Sequence, residues 1–240
     1  MWLPLRLIWS LWALVWFGLV TGMGSLLTLG VSLAGTSEAK VQWVPRIWAR
    51  ALIWGVGCPV SSQGLEKLAS GQTFVFASNH TSALDIPAVQ AVLPPNFRWI
   101  AKKELFSIPV FGQALRHAGY IPIDRSNRRE AMKSLKRAAE RIAGGASVVI
   151  FPEGTRSPDG KLLPFKSGGL GLAIKSGRPV VPMAILGAGK ALPPKKYILS
   201  PQRVRIVAGS PISTSGLELK DRDHLANQVR EKVEELLAEN

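Results

Sequence analysis

An apolar run without charge extends from Leu7 to Ala34, with Arg6 before it and Glu38 and Lys40 after it. It exceeds the ~20 residues that a helix needs to cross a bilayer core. Trp2, Trp9, Trp12 and Trp16 crowd its first half, and tryptophan prefers the membrane–water interface. That spread suits a helix that lies shallow or bends at Gly22–Gly24. A cleaved signal peptide fits less well, since its apolar region is usually ~7–15 residues long behind a basic start, and here only Arg6 precedes the run. Residues 40–56 read as a second, amphipathic helix in which Trp43, Ile47, Trp48, Leu52 and Trp54 alternate with Lys40, Arg46 and Arg50. Cations beside tryptophans suit a membrane surface; a helix packed on the domain has the same pattern, and the two are compatible. Residues 1–56 are therefore expected to anchor the chain, and residues 57–240 to form the domain proper.

From about Val60 the periodicity changes. Buried-strand patterns occur at 74–78, 98–101, 120–123, 147–151, 180–185 and 204–207. Helical patterns occupy 84–93, 127–143 (ended by Gly144–Gly145), 168–176 and 221–238. Strands alternating with helices predict an α/β domain whose central sheet is mixed and partly parallel, flanked by helices. The Gly-, Lys- and Pro-containing stretch 186–202 reads as a surface loop. No internal repeat or low-complexity segment interrupts the chain.

Composition sharpens this picture in two respects. Hydrophobic residues make up 47% and charged residues 19% of the 240 residues, against about 25% charged in ordinary soluble domains; mean hydropathy is +0.16. The net charge of +14 calls for an anionic partner, whether nucleic acid, anionic lipid or phosphorylated substrate. The apolar start favours lipid, and no zinc spacing, helix-turn-helix or RNA-binding pattern supports nucleic acid. Cys58 is the single cysteine, so no intrachain disulfide forms. With one cysteine and three scattered histidines (His80, His117 and His224) a zinc cage is not expected.

The candidate chemistry sits at strand ends. Asn79-His80-Thr81-Ser82-Ala83-Leu84-Asp85 follows the 74–78 strand, where α/β sheets present crevices. On one continuous helix His80 and Asp85 would point about 140° apart, so they meet only if the chain turns between them. Thr81 or Ser82 is placed to cap the helix that follows. A histidine held by a carboxylate is a suitable base for a hydroxyl; separate local capping by the two residues is the alternative reading. Phe151-Pro152-Glu153-Gly154-Thr155-Arg156-Ser157 follows the 147–151 strand. Gly154 permits a tight turn, Arg156 offers a bidentate fork for phosphate, and Glu153 suits an arginine or a substrate hydroxyl. An ordinary strand-to-loop turn would look similar. Lys102, Lys103, Asp124 and Arg125 stand near two further strand ends, where each alone reads as a solvated charge. Residues 160–167 approach a phosphate-binding P-loop, but Phe165 occupies the second glycine position, and we reject that reading. The basic face of the 127–143 helix is either solvated or a contact for membrane or carrier.

In this order, the N-H-x-x-x-x-D block at 79–85, G-x-x-x-I-D-R at 119–125, F-P-E-G-T-R-S at 151–157 and V-V-P-M-A-I at 180–185 resemble the glycerolipid acyltransferase family, the bacterial 1-acylglycerol-3-phosphate acyltransferases in particular. The blocks span roughly half the chain and show no departure from the family pattern. The resemblance implies transfer of a fatty acyl group from acyl-CoA or acyl carrier protein to the sn-2 hydroxyl of lysophosphatidic acid, giving phosphatidic acid in phospholipid biosynthesis. His80 would be the general base and Asp85 its orienting partner, with no acyl-enzyme. Glu153, Gly154, Thr155 and Arg156 would form the acceptor-phosphate side, helped by Lys103 and Arg125. The 180–185 strand would shape the acyl or carrier side, or simply belong to the core. No metal or cofactor is implied. The expected setting is a membrane, with the active site facing the cytoplasm. Another lysophospholipid or lyso-aminolipid is the alternative acceptor. A non-catalytic basic protein that binds membrane or nucleic acid is the alternative class.

Overall fold

The computed structural model describes residues 2–124 and 128–239. Among these, seven strands form one sheet: β1 (Val60–Gln63), β2 (Val75–Ser78), β3 (Phe97–Lys102), β4 (Ile121–Ile123), β5 (Ser147–Ile150), β6 (Val180–Leu186) and β7 (Val204–Ala208), in the order β1-β7-β6-β2-β5-β3-β4. The five strands from β6 to β4 are mutually parallel. β7 runs antiparallel to β6, and β1 is parallel to β7, so the sheet is mixed, as the alternation of elements predicts.

β2 and β5 are neighbours, with Ala77 opposite Ile150. From β2 the chain leaves through α4 (Asp85–Val92) towards β3, on one side of the pair; from β5 it leaves through α7 (Ser167–Ser176) towards β6, on the other. Right-handed crossovers in opposite directions place these helices on opposite faces. Where adjacent strands send the chain both ways, a crevice opens at their carboxyl ends. Both sequence blocks with candidate chemistry lie at that point.

Side-chain alternation supplies a core on each face. Phe76, Val89, Phe97, Val181 and Met183 join Leu52 and Ile53 of α3 (Trp43–Gly55) on one side. Val75, Ala77, Val148 and Ile150 join Leu170, Leu225 and Val229 on the other, beneath α6 (Arg128–Ala143), α7 and α9 (Arg222–Ala238). The 180–185 strand is buried throughout.

The N-terminal run forms one helix, α1 (Leu3–Leu33), unbroken at Gly22–Gly24. A short helix α2 (Glu38–Val41) precedes α3. α1 is long and apolar enough to cross a membrane, yet it is bonded to the domain along its length. The indole N–H groups of Trp9, Trp12 and Trp16 donate to the carbonyls of Val56, Gly55 and Ala51. The Gly55 and Val56 carbonyls lie at the end of α3, where helical donors run out, while that of Ala51 lies one turn earlier. Gly55 permits the approach, since a Cβ there would lie 2.0 Å from Trp16 Nε1. Trp48 Nε1 donates to Thr21 Oγ1, Arg6 bonds Ser200, Leu199 N–H donates to Ser10 Oγ, and Ser32 meets His117. Three of the four leading tryptophans thus hold helix to helix, where the sequence suggests an interfacial role. The opposite stripe of α1, including Leu7, Leu11, Leu14 and Leu26, is exposed.

Three elements depart from the sequence reading. β1 is an edge strand, polar and mostly exposed, so it lacks the alternating pattern. α5 (Phe111–His117) is too short to show periodicity. The 186–202 stretch contains α8 (Ala188–Ala191) and buries Leu199, so it is partly a docking surface for α1 rather than only a loop.

Candidate active site

The chain turns after β2, and His80 and Asp85 meet. His80 Nδ1 lies 2.8 Å from Asp85 Oδ2. A carboxylate only accepts, so Nδ1 carries the proton and Nε2 keeps its lone pair. Asp85 is fully buried and His80 is 13% exposed. Asp85 opens α4, where the positive end of the helix dipole favours a carboxylate. Its Oδ2 also accepts the backbone N–H groups of Thr81 (2.7 Å) and Ser82 (2.8 Å). The expected capping by Thr81 or Ser82 takes another form: Ser82 Oγ accepts the N–H of Leu84 and donates to Leu192 O, ahead of the helix.

The second block packs directly against the first. Phe151 stacks on the His80 imidazole, with ring centroids 4.0 Å apart and planes at 9°. Trp99 of β3 stacks behind Phe151 at 5.6 Å. Trp99 Nε1 in turn donates to Gln90 of α4. The imidazole plane is therefore set by an aromatic pair as well as by the carboxylate. Ser157 N–H donates to His80 O at 2.8 Å, tying the two loops together. Asn79 fastens the first loop to β6: its amide donates to Ile185 O and its oxygen accepts Ile185 N–H.

Glu153 is only 2% exposed. Its carboxylate accepts the His80 N–H at 2.7 Å and the Leu163 N–H at 3.2 Å. The structure thus gives Glu153 two backbone partners, one in the first loop and one beyond its own. Burial raises its pKa to about 7, while the two backbone donors pull it down. Gly154 has φ +75°, a conformation that costs other residues a steric penalty. A Cβ there would come within 2.9 Å of Lys166 Nζ, so the bare glycine leaves room for that ammonium. Thr155 and Arg156 follow with exposed side chains.

Lys103 follows β3, one strand beyond β5, which is about 5 Å further along the sheet edge. Its ammonium pairs with Asp124, and that partner raises its pKa. Arg125 lies outside the described residues. Of the residues read from sequence, His80 and Asp85 meet, and Glu153 bonds the His80 backbone from the second loop. Gly154, Thr155 and Arg156 continue that loop after β5, and Lys103 follows the end of β3. The positioning roles of Phe151, Trp99 and Asn79 escaped the sequence reading. The phenylalanine and asparagine that open their blocks were the available signals; nothing local singled out Trp99. Among the described residues no group of three or more His, Cys, Asp or Glu is placed to hold a metal ion.

A histidine oriented by a buried carboxylate beside exposed cations suits proton removal from a hydroxyl on an anionic molecule. Comparison with known proteins points the same way. Residues 59–186 match the family described as Acyltransferase. The chain is 35% identical over 230 residues to a chloroplast 1-acyl-sn-glycerol-3-phosphate acyltransferase of Brassica napus, covering 91% of this chain and 65% of that one. An enzyme of the same name from Helicobacter pylori is 40% identical over 146 residues, covering 60% of this chain and 62% of the other. This chain spans about half to two thirds of the length of the curated relatives it matches. The crystal structure of the 1-acyl-sn-glycerophosphate (LPA) acyltransferase from Thermotoga maritima superposes with a TM-score of 0.81 at 27% identity, covering 97% of this chain and 96% of that one. The matched family segment encloses the His80–Asp85 pair and the Phe151–Ser157 loop, and on this basis the chain belongs to the acyltransferase family.

Proposed function

We propose that this protein transfers a fatty acyl group from a thioester donor, acyl-CoA or acyl carrier protein, to the sn-2 hydroxyl of lysophosphatidic acid. The observation that carries the reading is the 2.8 Å bond between His80 Nδ1 and Asp85 Oδ2 at the sheet's crevice, which leaves Nε2 as acceptor. Nε2 takes the proton of the acceptor hydroxyl as its oxygen attacks the thioester carbonyl. Asp85 stabilises the imidazolium so formed. Collapse of the tetrahedral intermediate breaks the C–S bond, and the imidazolium returns its proton to the departing thiolate. The products are phosphatidic acid and a free thiol, and no covalent enzyme intermediate is needed.

Arg156 binds the acceptor phosphate, assisted by Lys166 and Lys103. Arg125 is assigned the same helping role from its sequence block alone. Glu153 and Gly154 shape the loop that presents Arg156. The exposed apolar stripe of α1 takes up the bilayer. Docking points from Arg6 to Ser32 cover about 39 Å of helix, more than the ~30 Å of a bilayer core. A helix held to its domain over that length lies along the membrane instead of threading it. The crevice then opens beside the lipid, on the cytoplasmic side where thioester donors are found.

The test is acyl transfer from oleoyl-CoA and from oleoyl-acyl carrier protein to a panel of lysolipids, with wild type and His80→Ala in parallel. Transfer is expected to prefer lysophosphatidic acid and to fall roughly 10²–10⁴-fold in the variant. Preference for another lysolipid would change the acceptor and keep the chemistry. Undiminished transfer by folded His80→Ala would overturn the mechanism.

A further inference from the structure

We propose that the cationic face of α6 is a docking surface for an acidic soluble protein that delivers the acyl thioester. The inference rests on the acyl-transfer reading above. α6 carries six basic residues and two acidic ones. Arg129, Lys133, Arg137 and Arg141 follow one another at intervals of four, so they form a single column, and Lys136 stands beside it. All five are exposed. Like charges at that spacing destabilise a helix. Arg128 and Arg129 also lie in the first turn, where cations oppose the helix dipole.

Helix stability does not explain this arrangement. The helix is held instead by its inner face, where Ala138 and Ile142 are fully buried. Glu130 binds Lys133 at the edge of the column, and by count the helix keeps four more basic than acidic residues. Another exposed helix of the same protein shows the contrast. On α9, Arg230 pairs with Glu234 four residues on, and Lys232 pairs with Glu235 three residues on, the alternation expected of a face that only meets water.

Position selects the partner. α6 packs on α7, β4 and β5, on the sheet face away from α3 and the α1 helix docked to it. A bilayer that takes up the α1 stripe therefore lies on the other side of the sheet from α6. The helix begins just beyond the end of β4, at the same sheet edge as His80, so a partner seated there faces the crevice from the aqueous side. The column runs from Arg129 to Arg141, about 18 Å, the length of roughly three helical turns and more than a single diphosphate needs. These features fit an acidic helix of a carrier protein better than free acyl-CoA. Charge complementarity of this kind acts mainly on the association rate.

The experiment compares oleoyl-acyl carrier protein with oleoyl-CoA as donors, in wild type and in Lys136→Glu/Arg137→Glu. Binding of fluorescently labelled oleoyl-acyl carrier protein is measured in parallel by anisotropy, independently of turnover. We expect kcat/KM with the carrier-bound donor to fall at least about ten-fold, within the range of electrostatic steering, and carrier binding to weaken in step. With oleoyl-CoA, kcat/KM is expected to stay within about two-fold. Lys136→Gln/Arg137→Gln, which adds no acidic group to the helix, should show a smaller loss of the same selectivity and stands in if charge reversal unfolds α6. An equal loss with both donors, no loss with either, or unchanged carrier binding overturns the docking surface. So does a loss confined to binding of phosphatidylglycerol vesicles, which would make the column a membrane contact. Absence of turnover with both donors in the wild type would instead refute the acyl-transfer reading, and the anisotropy data would still decide on the surface.

Discussion

Replacing Asp85 with asparagine separates the charge of this residue from its geometry. Asp85 Oδ2 accepts three donors: the His80 ring, the Thr81 N–H and the Ser82 N–H. The asparagine oxygen takes the same place and keeps all three bonds, so the imidazole stays oriented. The negative charge opposite the transient imidazolium is lost. At about 4 Å and an effective dielectric of about 20 that interaction is worth about 4 kcal/mol, or about three decades in rate. The amide nitrogen of asparagine takes the place of Oδ1, which has no hydrogen-bond partner. Two buried donors are then left unsatisfied, at about 1–3 kcal/mol of stability. Asp85→Ala differs, because it also strands the Thr81 and Ser82 N–H groups and loosens the entry to α4. Steady-state kinetics with oleoyl-CoA and lysophosphatidic acid, together with thermal melts, test this directly. We expect Asp85→Asn to fold, to lose about 10³ in kcat and to leave KM within about two-fold, since a fully buried group touches no substrate. A kcat within ten-fold of wild type in the folded variant would refute the electrostatic role. A raised KM with unchanged kcat would reassign Asp85 to uniform substrate binding.

Two further variants probe the scaffold. The Glu153 pKa is raised from an ordinary 4.5 to about 7, so its stabilising contribution is complete below pH ~4.5 and is lost as pH rises through ~7. The shift corresponds to at most about 3 kcal/mol. Melts of wild type between pH 5 and pH 8 should therefore show a decline that Glu153→Gln reduces, and an identical pH slope in the two proteins would rule this out. Gly55→Ala places a methyl 2.0 Å from Trp16 Nε1, and forced overpacking costs about 1–3 kcal/mol. Its melting temperature should fall and proteolysis between α1 and α3 should quicken, whereas wild-type behaviour in both assays would show that the close contact does not hold α1 in place.

The elements of the domain were legible because they are local. Short continuous apolar runs mark β2, β5 and β6, near-helical periodicity marks α6 and α9, and glycines at 144–145 end α6 as read. β1 and α5 were missed for the complementary reason: an exposed four-residue edge strand and a seven-residue helix carry too little periodicity. The blocks at 79–85 and 151–157 were visible as strand-end motifs, and with the other two they identified the family. Their mutual geometry was not visible. Whether His80 reaches Asp85 depends on a turn held by Thr81 and Ser82 backbone bonds. Whether Phe151 and Glu153 support His80 depends on β5 lying beside β2, about seventy residues away in the chain. Strand order arises from long-range pairing, which local periodicity does not encode. The same holds for α1. Its sequence determined a long apolar helix, and only packing against α3 decided that Trp9, Trp12 and Trp16 turn inward to the carbonyls of Ala51, Gly55 and Val56. An exposed apolar stripe is then left on the other side of α1, because the carbonyls of Gly55 and Val56 at the end of α3 need donors and the indoles stood within reach.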